Sequence, residues 1–196
     1  MIQKMGEEIQ SIDIEDKIHA KLVESSIIVF DYDSATFLYG GGRYFGKPIG
    51  IRKPREYSYF DRPLELSFIE GYYLLKKDKL EIKDPNSENP LTLEELAQHA
   101  EQYETNFVDK YNIYEDLRDK GYVVRPGLKF GADFAVYKKG PGKDHSPFIV
   151  QVLPKTAKLT AIDIVRAGRL ANSVKNKFII ANALTRTYYG FKWFKP

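Results

Sequence analysis

Tyr137 and His145 stand at the two ends of the stretch Tyr137-Lys-Lys-Gly-Pro-Gly-Lys-Asp-His145. A phenol and an imidazole across a short Gly/Pro loop can move protons in opposite directions. One takes a proton from an attacking hydroxyl, and the other gives one to a departing oxygen. Lys138, Lys139 and Lys143, between them, supply positive charge. This equipment suits breaking an RNA phosphodiester with the neighbouring 2′-OH as nucleophile, which needs a base, an acid and a cation for the charge on the phosphorane. A tyrosine at a strand end and a histidine in a loop also serve purely structural ends, so residue types alone leave both readings open.

The rest of the composition narrows the chemistry. The chain has 196 residues, long enough for one large or two small domains. It contains no cysteine, which leaves no disulfide framework and no thiolate zinc site. Its three histidines, at 19, 99 and 145, are too dispersed in sequence to suggest an imidazole metal cluster. No apolar run approaches the roughly 18 residues of a membrane span, and the opening MIQKMGEEIQ has no apolar signal core, so the expected setting is intracellular, in the cytoplasm. The net charge of +3 conceals an asymmetry: residues 1–104 carry 13 Lys/Arg and 20 Asp/Glu, residues 105–196 carry 17 and 7. A half-chain that basic is the footprint of a polyanion binder or a solvated face balancing an acidic domain.

The elements that must position these groups fall into two sets. Residues 25–42 (SSIIVFDYDSATFLYGGG) alternate like strands, and 43–62 read as an exposed loop around a short strand. Pro63 sits near an expected helix start, with Leu64, Phe68 and Leu75 near helical spacing. A second helix follows, with Thr92 and Glu95 in capping-box spacing. From about Thr105, Phe107, Tyr111, Tyr114 and Leu117 mark an amphipathic helix ended by Gly121. YVVRPGLKFGADFAVYK predicts two strands around a turn, and SPFIVQVLP a strand stopped by Pro154. LTAIDIVRAGRLANSVKN predicts a helix, and FIIANAL and TYYGFKWF two closing strands. The expectation is α+β: a small domain over 1–104, then a mixed sheet with flanking helices over 105–196.

The stretch YNIYEDLRDKGYVVRPGLKFGADFAVYKKGPGKDHSPFIVQVLP resembles the signature of the archaeal and eukaryotic tRNA-splicing endonuclease catalytic domain. RLANSVKNKFIIA and the terminal FKW resemble that family's later helix and last strand. FLYGGGRYFGKPIGI and RPLELSFIEGYYLLKK resemble the amino-terminal domain of its crenarchaeal-type catalytic subunit. The resemblance implies a restriction-endonuclease-like catalytic fold and an endoribonuclease that excises introns from precursor tRNA at bulge-helix-bulge sites. It implies no cofactor and no metal ion, and products with 2′,3′-cyclic phosphate and 5′-hydroxyl ends.

Carried over position by position, Tyr137 is the expected general base and His145 the general acid. The family's catalytic lysine falls on Asn176, flanked by Lys175 and Lys177; we assign its role to Lys175, whose flexible stem can absorb an offset of one residue. Lys177 is then a phosphate contact. Arg169 and Trp193 match the residues that grip a flipped bulge base by stacking. Gly131, Asp133 and Ser146 are expected to be structural, with Asp133 bonding a turn. ANALTRTYYG contains no acid where many relatives carry an acidic docking loop, so the resemblance implies an α2β2 tetramer whose other subunit supplies that loop. Two alternatives are a structural RNA-binding subunit of the same complex, favoured by Asn176, and a non-enzymatic RNA-binding module.

Overall fold

The computed structural model describes residues 17–56, 58–87, 89–143, 148–174 and 177–191. The chain divides into two compact units, Met1–Phe107 and Val108–Pro196. Both mix helices with a five-stranded sheet, so the architecture is α+β. No described helix is long and apolar enough to cross a membrane.

In the first unit the strands are β1 (Ile18–Val23), β2 (Ser26–Val29), β3 (Lys47–Pro48), β4 (Leu64–Leu66) and β5 (Leu80–Lys83), in the order β3-β4-β2-β1-β5. All pair antiparallel except β1 with β5. In β1, Ile18, Ala20 and Leu22 are buried and the residues between them exposed, the period of a half-buried strand.

Three readings of this half are corrected. The apolar run expected to stay extended through 42 leaves the sheet after Val29 and forms helix α1 (Tyr32–Tyr39). The Asp31 carboxylate accepts from the Ser34 N–H at 2.8 Å and caps that helix. Ala35, Thr36, Leu38 and Tyr39 are buried together, a helical rather than an alternating pattern. Residues 43–62 are not simply an exposed loop, because Tyr44, Phe45, Glu56 and Phe60 are buried. Tyr44 donates to Glu56 Oε2 at 3.0 Å, and Tyr39 packs edge-on against both Tyr44 and Phe60. Finally, Pro63 precedes a strand. Leu64 and Leu66 point to the core, and helix α2 (Phe68–Lys76) starts only after Ser67, which forms a full capping box with Glu70. The box expected at Thr92 and Glu95 is present and starts helix α3 (Leu93–Glu101).

The C-terminal half follows its expected order. Helix α4 (Phe107–Asp119) buries Phe107, Tyr111, Tyr114 and Leu117. Gly121, at φ 83°, turns the chain out of it. The Gly121 N–H donates to the Arg118 carbonyl and that of Tyr122 to the Leu117 carbonyl, a left-handed C-cap that a side chain would strain. Then come β6 (Val123–Pro126), β7 (Phe134–Tyr137), β8 (Phe148–Leu153), helix α5 (Ala161–Val174), β9 (Lys177–Asn182) and β10 (Thr187–Phe191). The sheet order is β10-β9-β8-β7-β6; only β8 and β9 are parallel, and α5 makes their crossover. Val124, Val136, Ile149, Val150 and Ala181 are almost fully buried in it.

Asp133 does more than bond a turn. Its Oδ2 accepts from the Val152 N–H at 2.8 Å and from Gln151 Nε2 at 2.6 Å, and its Oδ1 meets Lys110 Nζ at 3.4 Å. The carboxylate thus continues the β7–β8 ladder one step ahead of Phe134, the first residue of β7. Thr160 and Asp163 cap each other at the start of α5.

Candidate active site

Tyr137 is the last residue of β7 and pairs with Val123. It is buried, with 7% of its surface exposed, in a strand whose four residues are all buried. The ring is therefore set by core packing rather than displayed on a loop. Past it come the exposed Lys138 and Lys139, then Gly140 and Gly142 at φ 112° and 85°. These are conformations that suit glycine, and they turn the chain over 140–143, where the Lys143 N–H donates to the Gly140 carbonyl; the next strand starts at Phe148. His145, with Ser146, lies outside the described residues, as do Lys175, Asn176 and Trp193.

Strand register brings one end each of β7, β8, β9 and β10 to the same end of the sheet. Val136 pairs with Phe148 across the antiparallel β7/β8 hairpin, and Phe148 pairs with Lys177 across the parallel β8/β9 pair. Phe178 in turn pairs with Phe191, the last residue of β10. The C-terminal ends of β7 and β10 and the N-terminal ends of β8 and β9 therefore lie together. Helix α5 also finishes here, since Val174 is followed within three residues by Lys177. Of the candidate residues that are described, Tyr137 and Lys177 belong to this end, two strands apart. Lys177 is exposed, and Arg169 is exposed on the last two turns of α5.

The carboxylates of this half are engaged internally. Asp109 accepts from the Lys155 N–H at 2.9 Å. Glu115, buried, accepts from the Tyr111 hydroxyl at 2.9 Å and faces Arg186 at 3.9 Å. Asp116 is held by Lys120 at 2.5 Å and by the Tyr188 hydroxyl. Asp133 and Asp163 are committed as described above. With five of the seven acids of residues 105–196 tied to partners, the exposed Lys138, Lys139, Arg166, Arg169 and Lys177 dominate the local field. Such a surface attracts a polyanion.

Burial raises the pKa of the Tyr188 phenol, and the hydrogen bond to Asp116 raises it further. Burial also pushes the Asp116 carboxyl up, but the bonds from Lys120 and Tyr188 outweigh it and leave that carboxyl below its usual range. Reasoning from sequence missed this pair. The only hint was two adjacent acids, Glu115 and Asp116, on one helix of an otherwise basic half.

A groove of about 580 Å³ runs beneath α5, lined by Val152, Leu153, Leu170, Phe178 and Ile180 with Lys158 and Arg166 among the polar groups. Tyr137 and Lys177 do not line it. The groove belongs to the helix–sheet packing, in which Ala167 is buried and Ile162 and Val165 stay exposed.

Comparison with known proteins bears on both units. A family model described as "tRNA intron endonuclease, catalytic C-terminal domain" matches residues 107–187, and "tRNA intron endonuclease, N-terminal domain" matches 18–97. A protein of Hyperthermus butylicus named tRNA-splicing endonuclease is 45% identical over 183 residues, covering 91% of this chain and 99% of the relative. Proteins of the same name from Saccharolobus solfataricus and from Saccharolobus islandicus (strain L.S.2.15) are 38% and 37% identical over 182 residues, with the same coverage.

Proposed function

Because the chain belongs to the tRNA-splicing endonuclease family and carries its catalytic domain, we propose that it is the subunit that cuts precursor tRNA at bulge-helix-bulge sites, without a metal ion. The observation that supports this reading is the row Val136–Phe148–Lys177, which brings the end of β7, with Tyr137, and the first residues of β8 and β9 to one end of one sheet. Three roles are needed there, and three segments supply them.

In the proposed step the Tyr137 phenolate takes the proton of the 2′-OH next to the scissile phosphate. The 2′ oxygen attacks phosphorus, His145 gives its proton to the departing 5′ oxygen, and the Lys175 ammonium balances the charge on the non-bridging oxygens. The P–O5′ bond breaks as the P–O2′ bond forms, leaving a 2′,3′-cyclic phosphate and a 5′-hydroxyl. Arg169 and Trp193 hold a bulge base between a guanidinium and an indole.

The turn between β9 and β10 spans only Ala183–Arg186, where Asn182 Oδ1 accepts from the N–H groups of Leu184 and Thr185. It contains no acid. This supports an α2β2 assembly in which a related structural subunit contributes the acidic docking loop. A second reading, a structural subunit with weakened catalysis, is favoured by Asn176 standing where the family has lysine. Incubation of the assembled enzyme with an intron-containing precursor tRNA in excess chelator separates the two. Cleavage with cyclic-phosphate ends is the expected result; failure only when chelator is present would refute the metal-free step, and failure in both conditions would favour the second reading.

A further inference from the structure

We propose that the rings of Tyr122 and Phe148, with Lys138 and Lys177 beside them, form a stacking platform for an unpaired RNA base next to the cut. The inference rests on the reading of this end of the sheet as the place where precursor tRNA is cleaved. Tyr122 follows the Gly121 cap of α4 and stands one residue ahead of Val123, which pairs with Tyr137. Side chains alternate between the two faces of a strand. Tyr137 and Val123 therefore share one face, while Val136, Phe148 and Lys177, paired in a row, share the other. Tyr122 and Lys138, each one step from the Val123–Tyr137 pair, belong to the face of that row. The rings agree with this: Tyr122 and Phe148 meet edge to face, with centroids 5.8 Å apart and planes at 86°.

Exposure sets this pair apart. Phe134, Tyr137 and Phe178, the other rings of the inner strands, are buried, whereas Tyr122 and Phe148 are only half-buried at the end of the sheet. Lys177 adjoins Phe148 in the next strand and Lys138 follows Tyr137; both are exposed. An edge-on contact occupies one face of one ring, so flat aromatic surface remains for a third partner. Rings set between lysines suit single-stranded RNA, because the rings stack on bases of any sequence and the ammonium groups meet phosphates. In a continuous duplex the bases stay in their own stack, so such a platform selects unpaired nucleotides, which a bulge supplies. Helix α5, which carries Arg169, packs on the opposite face, where its Ala167 and Leu170 line the groove with Phe178 and Ile180. The platform is therefore a second base contact, separate from that of Arg169.

The test uses the assembled enzyme and a bulged precursor RNA blocked by a 2′-deoxy nucleotide at the cut, beside a duplex of equal length without bulges. 2-Aminopurine, placed in turn at each unpaired position, reports stacking by loss of its emission. Wild type should prefer the bulged RNA and quench the probe at a position beside the cut. Tyr122→Leu and Phe148→Leu keep an apolar side chain and remove a ring. Each should lose about tenfold in affinity for the bulged RNA, the size of one lost base stack. Each should also restore emission at that position and leave affinity for the duplex unchanged. Phe148→Tyr, which keeps the ring, should behave as wild type. If wild type prefers the bulged RNA and the two leucine variants keep its affinity and its quenching, the inference falls alone. If wild type has no such preference, the reading of this end as the cleavage site falls and the inference with it. If both leucine variants fail to fold by thermal melting, or lose affinity for both RNAs alike, the rings serve packing only and the inference is overturned.

Discussion

Phe148 and Lys177 stand side by side as the first residues of two parallel strands. Parallel neighbours need a crossover, here α5, and a crossover of this kind returns the chain to the end of the sheet from which β8 started. The consequence is chemical. β8 and β9 therefore begin at the same place, although helix α5 and all of β8 separate their first residues in sequence.

The acid and base are tested at this place. His145→Ala should slow single-turnover cleavage by about 10²–10⁴-fold, the range for loss of a general acid, with little change in RNA affinity. Tyr137→Phe removes only the hydroxyl from a residue packed in the core, so the fold should survive and the rate should fall similarly. Near-normal cleavage by both variants would show that the chemistry lies elsewhere.

The lysine question separates rate from binding. Lys175→Ala should slow cleavage by about two orders of magnitude, as expected when one contact to transition-state charge is lost. Lys177, exposed at the start of β9, should act on binding: Lys177→Ala should flatten the salt dependence of affinity by about one phosphate contact. Exchange of these two outcomes would exchange the two roles. If neither variant matters and Asn176→Lys raises the rate by orders of magnitude, the chain is a weakened catalyst.

Assembly gives an independent check. The isolated chain should be inactive or weakly active, and adding a structural subunit with an acidic loop should restore cleavage. Full activity from the isolated chain as a homotetramer, measured by light scattering beside the cleavage assay, would contradict the argument from the acid-free turn at Ala183–Arg186.

Stability should respond to pH at both ends through Asp116 and Tyr188. The Asp116 carboxyl lies below its usual range when folded, so its contribution is complete above about 4, the unfolded value, and is lost as pH falls further. The Tyr188 phenol lies above its usual range, so its contribution holds below about 10, the unfolded phenol value. Above that, the unfolded chain releases the proton first and stability falls. Chemical denaturation across pH should show both slopes, and Tyr188→Phe should diminish the alkaline one; an unchanged alkaline slope would assign it to other tyrosines.

Local signals were readable where one side chain or one period settles the matter. Thr92 with Glu95 marks α3, and Phe107, Tyr111, Tyr114 and Leu117 with Gly121 mark α4. The run from Ser25 misled because alternation and helical periodicity overlap in so apolar a stretch; the Asp31 cap and the burial of Ala35, Leu38 and Tyr39 decide it. Leu64 and Leu66 form a strand too short to show its period beside Pro63. The Tyr137–loop–His145 motif is contiguous and could be read directly. That the end of β7 lies near the start of β9 depends on the pairing of Phe148 with Lys177, and the bond between Asp116 and Tyr188 joins residues 72 positions apart. Pairing at that distance leaves no local trace in residue order.

The row Val136–Phe148–Lys177 also acts as a gauge. Neighbouring strands stand about 4.8 Å apart, so the main chain at Val136 and at Lys177 is separated by about two such steps, on the order of 10 Å. Hydrogen bonding keeps that interval constant, whatever happens to the lengths of the loops. Groups that meet over one phosphate from opposite margins of such a gap must be carried on long arms. In the proposed site the phenol of Tyr137 and the four-carbon ammonium of Lys175 are arms of that kind, whereas aspartate or serine in their places would reach less far. The spacing of a backbone ladder thereby selects the kinds of side chain that the chemistry can use.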